Sequence, residues 1–502
     1  MSKMKKVLAM LLTLAMVFGM ALTASADTIA VPSSADKAEI KVTGLPTAET
    51  TVIAYQIVEA DYYETGENGV GFKKYVEVSS VDVGDNPEKP EAAEVAKIAN
   101  AIKEGTLTSL KSVNLTKQTD GSYTAEVEAG YWLVIADPVG HYVFNPMIAG
   151  VYYENTDGSG NTITGGTIDS TQPWTLNGTT TVAKQSNTTV EKEIVNPSTE
   201  NKLGDDVTIG EEIQYQVTAD IPVYSEVMYE DVTFKVTDKL STGISFLENP
   251  GITVMVEGNE NSVEAGSNTY SASTDGQVLT VDFADRFIFD NGGKEVTITY
   301  KAELNENALV DNNANDNEVE LEYTREPGEE ESGKIKPPVT HHYTFDFNVV
   351  KEDDKKQKLG GATFTLTPKE GTNGTVQEVT SEEGTGNLHF TGLDVGTYTL
   401  QETDAPDGYQ IDSTEHTVVI SATYNETTGE MTSYSITVDN QPLEKWKSGD
   451  ATVELNTLTF TNTKLVNLPS TGGIGTTIFT IGGCAIMIAA AFFFFVSRRK
   501  DA

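Results

Sequence analysis

The pattern that most limits what this chain can become is a two-residue alternation. Between the apolar segments at its two ends, short runs rich in Val, Thr, Tyr and Ile are separated by Gly, Asn and Asp. Side chains two apart on a strand share a face, so each run buries one face and wets the other. Repeated along the chain with turn signals between, such runs predict an all-β protein built of tandem immunoglobulin-like β-sandwiches. Only Glu91–Lys103 (EAAEVAKIANAIK) has good helical spacing, with Val95, Ile98 and Ile102 on one side.

The alternation also places charges where the core should be. In FDFNVVK, Lys351 shares a face with Phe345, Phe347 and Val349. In YTLQE, Glu402 follows Tyr398 and Leu400, and in LTFTN, Asn462 follows Leu458 and Phe460. An earlier segment repeats the set. Lys192 shares a face with Val190, Asp238 with Phe234, Val236 and Leu240, and Asn317 with Val319, Leu321 and Tyr323. The order is Lys on an early strand, an acid on a middle one and Asn on the last.

A lone buried charge is expensive, so such groups must be paired or neutralised. Desolvation lowers a lysine pKa and raises a carboxyl pKa. A neutral amine is a nucleophile, and a protonated acid can polarise an asparagine carbonyl and shuttle protons. Held together in a dry core, amine and amide could expel ammonia and leave a Lys–Asn isopeptide bond. The plainer reading makes each residue a strand-end polar group with its lysine snorkelling outward. Two parallel sets favour the cross-link. The first domain is the contrast: Ile40 and Val42 point Lys41 away from the core, and Ala136 stands at the acid position, so no bond is expected there.

The chain ends set the compartment. Lys3, Lys5 and Lys6, the apolar run Val7–Leu22 and Ala24-Ser25-Ala26 form a signal peptide over residues 1–26. At the other end Ile474–Val496 is uncharged and long enough to span a bilayer, and Arg498, Arg499 and Lys500 hold the tail in the cytoplasm. The net charge of −41 becomes −44 without the leader and −46 once everything after Thr471 is also removed. So acidic a body repels nucleic acid and anionic lipid, leaving membrane contact only transiently through the C-terminal segment. The lone cysteine, Cys484, lies in the apolar tail, so the exported body cannot use disulfides for durability.

Composition shifts suggest the cuts. Ser170–Val190 is polar and extended, and Arg325–His342 is a Pro- and acid-rich linker. The expected domains are 27–175, 176–338 and 339–466, with 467–502 as the terminal signal and span. GTYTLQETDAPDGY (Gly396–Tyr409) weakly repeats GYWLVIADPVGHY (Gly130–Tyr142), linking the first and third domains.

Leu468-Pro469-Ser470-Thr471-Gly472, followed by an apolar span and a basic tail, resembles the LPXTG cell-wall sorting signal of Gram-positive surface proteins. That resemblance implies cleavage by a sortase between Thr471 and Gly472, with Thr471 acyl-linked to the enzyme's cysteine. The whole chain resembles the major shaft subunit of sortase-assembled pili, an isopeptide-forming fimbrial protein. The third domain resembles the CnaB-like module, in which Lys351 and Asn462 would be joined with Glu402 assisting. The middle domain resembles the CnaA-like module, with Lys192, Asn317 and Asp238 in matching roles. In this family the acceptor lysine follows Trp and a Val-x-Val-Tyr-Pro sequence. WTLNGTTTVAK offers Trp174, Val182 and Lys184, with Val182-Ala183 replacing Tyr-Pro and the spacing one residue longer. Lys184 is the expected acceptor, and Lys202 and Lys192 are nearby alternatives.

The partners so implied are sortase, identical pilin subunits, peptidoglycan, and tip and basal pilins; no cofactor is implied. A monomeric wall-anchored adhesin would use the same sorting signal and is the alternative. Asp311–Glu322 nearly fits a calcium loop, but Asp316 stands where Gly is needed and no helices flank it. His341-His342 reads as linker, no metal site can be assembled, and no constellation for turnover catalysis presents itself.

Overall fold

The computed structural model describes residues 22–29, 31–64, 71–155, 174–195, 197–327, 332–447, 458–465 and 475–498. It forms two compact units, Met1–Thr344 with Thr423–Thr432, and Phe345–Ala422 with Ser433–Ala502. The chain is all-β in character, as its alternation requires.

The first unit opens with a 10-stranded sheet. Its path runs through Phe72–Glu77, Val52–Tyr62, Gly130–Ala136, Met147–Glu154, Trp174–Val182, Lys37–Thr43, Tyr123–Glu128 and Thr116–Lys117. The helix Ala92–Lys103 forms where its spacing predicts and buries Val95, Ala96, Ile98 and Ala99. Ile40 and Val42 are buried, while Lys41 turns outward to Asp120 at 2.8 Å. Leu22–Ile29 runs across the expected leader cut and pairs antiparallel with Trp174–Thr180.

Beyond a two-stranded pair, Tyr142–Phe144 with Gln185–Asn187, this unit continues as a two-sheet sandwich. One sheet orders Val190–Ile194, Glu212–Asp220, Glu295–Leu304 and Ile244–Phe246. The other orders Gly204–Asp206, Thr340–Tyr343, Asn315–Tyr323, Phe234–Leu240, Val278–Phe283 and Tyr270–Asp275. Lys192 therefore reaches across the sandwich, since Asp238 and Asn317 stand on the opposite sheet. A short helix, Asp285–Asn291, buries Phe287 and Ile288 and was not foreseen. At this length two inward residues carry no period that distinguishes a helix from a strand.

In the second unit Asn387–Leu393, Phe345–Asp353 and Leu458–Asn462 form a three-stranded sheet, the last two parallel. A six-stranded sheet contains Gly396–Asp404. The repeat between the first and third domains has a structural basis. Gly130 (φ +144°) and Gly396 (φ +154°) each open a strand in a backbone region that favours glycine. A Cβ would lie 2.1 Å from the Val58 carbonyl oxygen at Gly130 and 2.4 Å from Thr372 Oγ1 at Gly396. The helix Gly475–Arg498 follows, and Thr477–Ser497 is long and apolar enough to cross a membrane. Leu468, Pro469, Ser470, Thr471 and Gly472 lie outside the described residues.

Two expected linkers contain strands. The cut near Thr175 falls inside Trp174–Val182, whose Trp174 and Leu176 are buried in the first sheet. The cut near Pro338 precedes Thr340–Tyr343, which pairs with both Gly204–Asp206 and Asn315–Asn317. Runs of Thr, Gly and His look like linker in sequence, yet β-branched Thr fits a pleated sheet whose neighbours supply the apolar contacts.

Candidate functional site

Three strands of the second unit bring Lys351, Glu402 and Asn462 together, and all three side chains are buried. Lys351 Nζ donates to Asn462 Oδ1 at 2.6 Å. Glu402 Oε1 lies 3.0 Å from Lys351 Nζ and accepts from Asn462 Nδ2 at 2.8 Å. Its other oxygen accepts from the Asp412 backbone N–H at 2.8 Å. The rings of Phe364 and Phe460 flank the amine, with centroids 5.1 and 5.9 Å away. Burial pushes the Lys351 pKa down despite the opposing pull of Glu402. The amide thus turns its nitrogen, not its oxygen, towards the acid. Glu402 is placed to carry a proton from amine to leaving nitrogen, rather than to polarise the carbonyl.

The middle domain assembles a related but different group. Lys192, Asp238 and Asn317 each have 4% or less of their surface exposed. Lys192 is hydrogen-bonded to Asp238 Oδ2 in a close ion pair. Asn317 is not hydrogen-bonded to Lys192. Instead the Tyr300 hydroxyl stands between them, accepting from Lys192 Nζ at 3.1 Å and from Asn317 Nδ2 at 2.7 Å. Asn317 Oδ1 and Asp238 Oδ1 are buried without a hydrogen-bond partner. Tyr215 stacks on Tyr300 with centroids 5.2 Å apart, and its ring lies 4.9 Å from Lys192 Nζ. Burial pushes Lys192 down to about 8 and Asp238 up, the two shifts that favour amine plus acid over an ion pair.

The alternation reading missed Tyr300, Tyr215 and His342 here. The tyrosines were hidden as ordinary members of apolar alternations, in Glu295–Leu304 and Glu212–Asp220. His342 was expected in a linker but is buried beside Tyr215, with centroids 5.5 Å apart. Burial holds its pKa down at about 3, so it adds no charge to the centre. Asn317 is also not on the last strand, since Gly333–Ile335 and Thr340–Tyr343 follow it in the same sheet.

Lys184 sits between Trp174–Val182 and Gln185–Asn187. The backbone is pinned on both sides of it: Ala183 N–H donates to Thr43 O at 2.7 Å and Lys184 O accepts from Asn145 N–H at 3.0 Å. A proline at 183 would forfeit the first bond. The Lys184 amine is half-buried with no ion pair among the described residues, and burial lowers its pKa. Lys202, by contrast, is paired with Glu193.

Near the calcium-like run, Asn315 is committed to the backbone. Its Oδ1 accepts from Leu309 N–H at 2.8 Å, and its Nδ2 donates to Leu309 O at 2.9 Å. Among the described residues no group of three His, Cys, Asp or Glu could hold a metal.

Four family models match in succession. They are the T6 antigen Ig-like domain (residues 35–185), the Gram-positive pilin backbone subunit 2 Cna-B-like domain (209–327), the SpaA prealbumin-like fold domain (345–435) and the LPXTG cell wall anchor motif (461–502). The middle domain, expected to be CnaA-like, thus matches a model described as Cna-B-like. The chain is 26% identical to the trypsin-resistant surface T6 protein of Streptococcus pyogenes serotype M6, over 93% of this chain and 96% of that one. The solved T6 backbone pilin of serotype M6 Streptococcus pyogenes superposes with a TM-score of 0.61 at 21% identity, covering 86% of this chain and 100% of that one. The major pilin SpaD of Corynebacterium diphtheriae aligns at 16% identity and a TM-score of 0.47, over 87% of this chain and 100% of that one. Pilin-domain models followed by a wall-anchor motif, with likeness to the T6 protein along nearly its whole length, support this chain as a structural backbone (shaft) subunit of a Gram-positive surface pilus, attached to the cell wall.

Proposed function

We propose that this backbone pilin is polymerised by a sortase through Thr471 of one copy and Lys184 of the next, and that isopeptide bonds Lys351–Asn462 and Lys192–Asn317 lock its domains. Sortase breaks the Thr471–Gly472 peptide bond, Gly472 leaves as an amine, and the Thr471 carbonyl passes to the enzyme's thiol. The Lys184 amine then attacks that thioester, forming an amide and releasing the thiol. Identical subunits, tip and basal pilins and finally peptidoglycan are the partners of this chemistry.

The observation that carries the internal bonds is the Lys351–Glu402–Asn462 contact, buried amine and amide sharing one carboxylate. Its loss of ammonia needs no outside base, because the proton leaving the amine has a path to the departing nitrogen. Lys184 is supported as acceptor by its pinned backbone and its unpaired, pKa-lowered amine. Immunoblots of boiled wall extracts test the polymer. A ladder of high-mass species that collapses in Lys184→Ala is the expected result. A single band in the wild type overturns polymerisation, and an intact ladder in Lys184→Ala moves the acceptor elsewhere.

A further inference from the structure

The two centres solve one chemical problem with different parts. In the third domain a single carboxylate, Glu402, touches both the amine and the amide nitrogen. In the middle domain the acid is the shorter Asp238, which bonds the amine but leaves its other oxygen without a partner. The Tyr300 hydroxyl fills the interval and contacts both reacting nitrogens. The flanking rings correspond as well. Each lysine lies over two aromatic rings, Phe364 and Phe460 in one centre and Tyr215 and Tyr300 in the other. The hydroxyl thus bridges the two nitrogens in the middle domain, beside an acid that also feels Tyr300 and Asn317, whereas in the third domain the acid alone bridges them.

We propose that Tyr300 is a catalytic residue of the middle-domain cross-link, relaying a proton from Lys192 Nζ to the leaving Nδ2 of Asn317. The inference rests on the reading that Lys192 and Asn317 become joined. Asp238 first takes one proton from the lysine ammonium, leaving a neutral amine. Nζ attacks Cγ of Asn317, and the Tyr300 oxygen receives a proton from Nζ while giving its own to Nδ2. The Cγ–Nδ2 bond breaks and ammonia departs, so one amide replaces another and Tyr300 ends as it began. No oxidant, metal or water is consumed. A phenol suits the task, because burial holds its pKa well above the usual value and keeps it protonated until the transfer.

The test follows cross-link formation in the full exported chain made by cell-free synthesis, with peptide mass spectrometry reading each domain separately. In the wild type both Lys192–Asn317 and Lys351–Asn462 peptides should appear, each lighter by one ammonia. Tyr300→Phe should slow only the middle-domain bond, by about a hundredfold, at the low end of general acid–base effects. A Tyr300→Phe chain that cross-links its middle domain at the wild-type rate overturns the proposal. Absence of the middle-domain bond from the wild type refutes instead the reading beneath it. Should Tyr300→Phe fail to fold, judged by trypsin resistance, synthesis with 3-fluorotyrosine keeps the shape and makes the phenol more acidic. The middle-domain rate should then change while the third-domain rate holds, and an unchanged middle-domain rate overturns the relay.

Discussion

Lys351 Nζ lies 2.6 Å from Asn462 Oδ1, although the two residues are 111 positions apart. Nearly the whole third domain is folded between them, and the two strands run side by side in parallel. A covalent bond here would make the first and last strands one mechanical element. Such a bond supplies the durability that an exported body without cysteine cannot draw from disulfides.

Glu402→Ala should leave Lys351 and Asn462 unreacted, restoring about 17 Da, one ammonia, to the third-domain peptide. It also strips a buried amine of its partner, a loss of about 3–5 kcal/mol beyond that of the covalent bond. Thermal unfolding with peptide mass checks both parts, and an unchanged mass contradicts the role given to Glu402.

Pulling on the chain separates locked from unlocked domains. With the bond in place, the 111 positions between Lys351 and Asn462 cannot extend. At about 3.6 Å per residue, Glu402→Ala should release about 400 Å of extra contour length in single-molecule stretching. Equal extension of wild type and variant contradicts the bond.

A chain that cannot form the middle bond should reveal the cost of burying its lysine. In Asn317→Ala, Lys192 keeps a folded pKa of about 8, below its ordinary 10.5. As pH falls below 10.5 the unfolded chain takes up a proton that the folded one refuses until about pH 8. Stability from this group is therefore present at high pH, declines between those values and is flat below. Denaturant unfolding against pH measures it, and stability that rises as pH falls through that window is the opposite result.

The first domain is the negative control. Lys41 faces Asp120 at the surface, and Ala136 is buried where the other domains carry an acid. Lys41→Ala should leave the number of ammonias lost unchanged, as read by intact mass. A further ammonia retained in that variant would place a bond where none is expected.

How much could be read from sequence follows from what strand alternation encodes. It records facing, so Lys351, Glu402, Asn462, Lys192, Asp238 and Asn317 were legible as misplaced polar residues, and all are buried. It is blind to tyrosine, whose ring belongs in a core and whose hydroxyl acts only through neighbours on other strands. Tyr300 therefore went unseen until Lys192 and Asn317 were found on either side of it. His342 was lost for a related reason. A histidine after Pro-rich sequence resembles linker, and only pairing with Asn315–Asn317 makes its strand part of the sandwich. Lys184 was legible through spacing from Trp174, but its pinned backbone depends on Thr43 and Asn145, far away in sequence.

The most direct test of the account is the intact mass of the recombinant exported body, from the leader cut to Thr471. Two internal bonds predict a mass about 34 Da below the formula value, one ammonia for each bond. A mass equal to the formula value would contradict both bonds, and with them the claim that this shaft is locked from within.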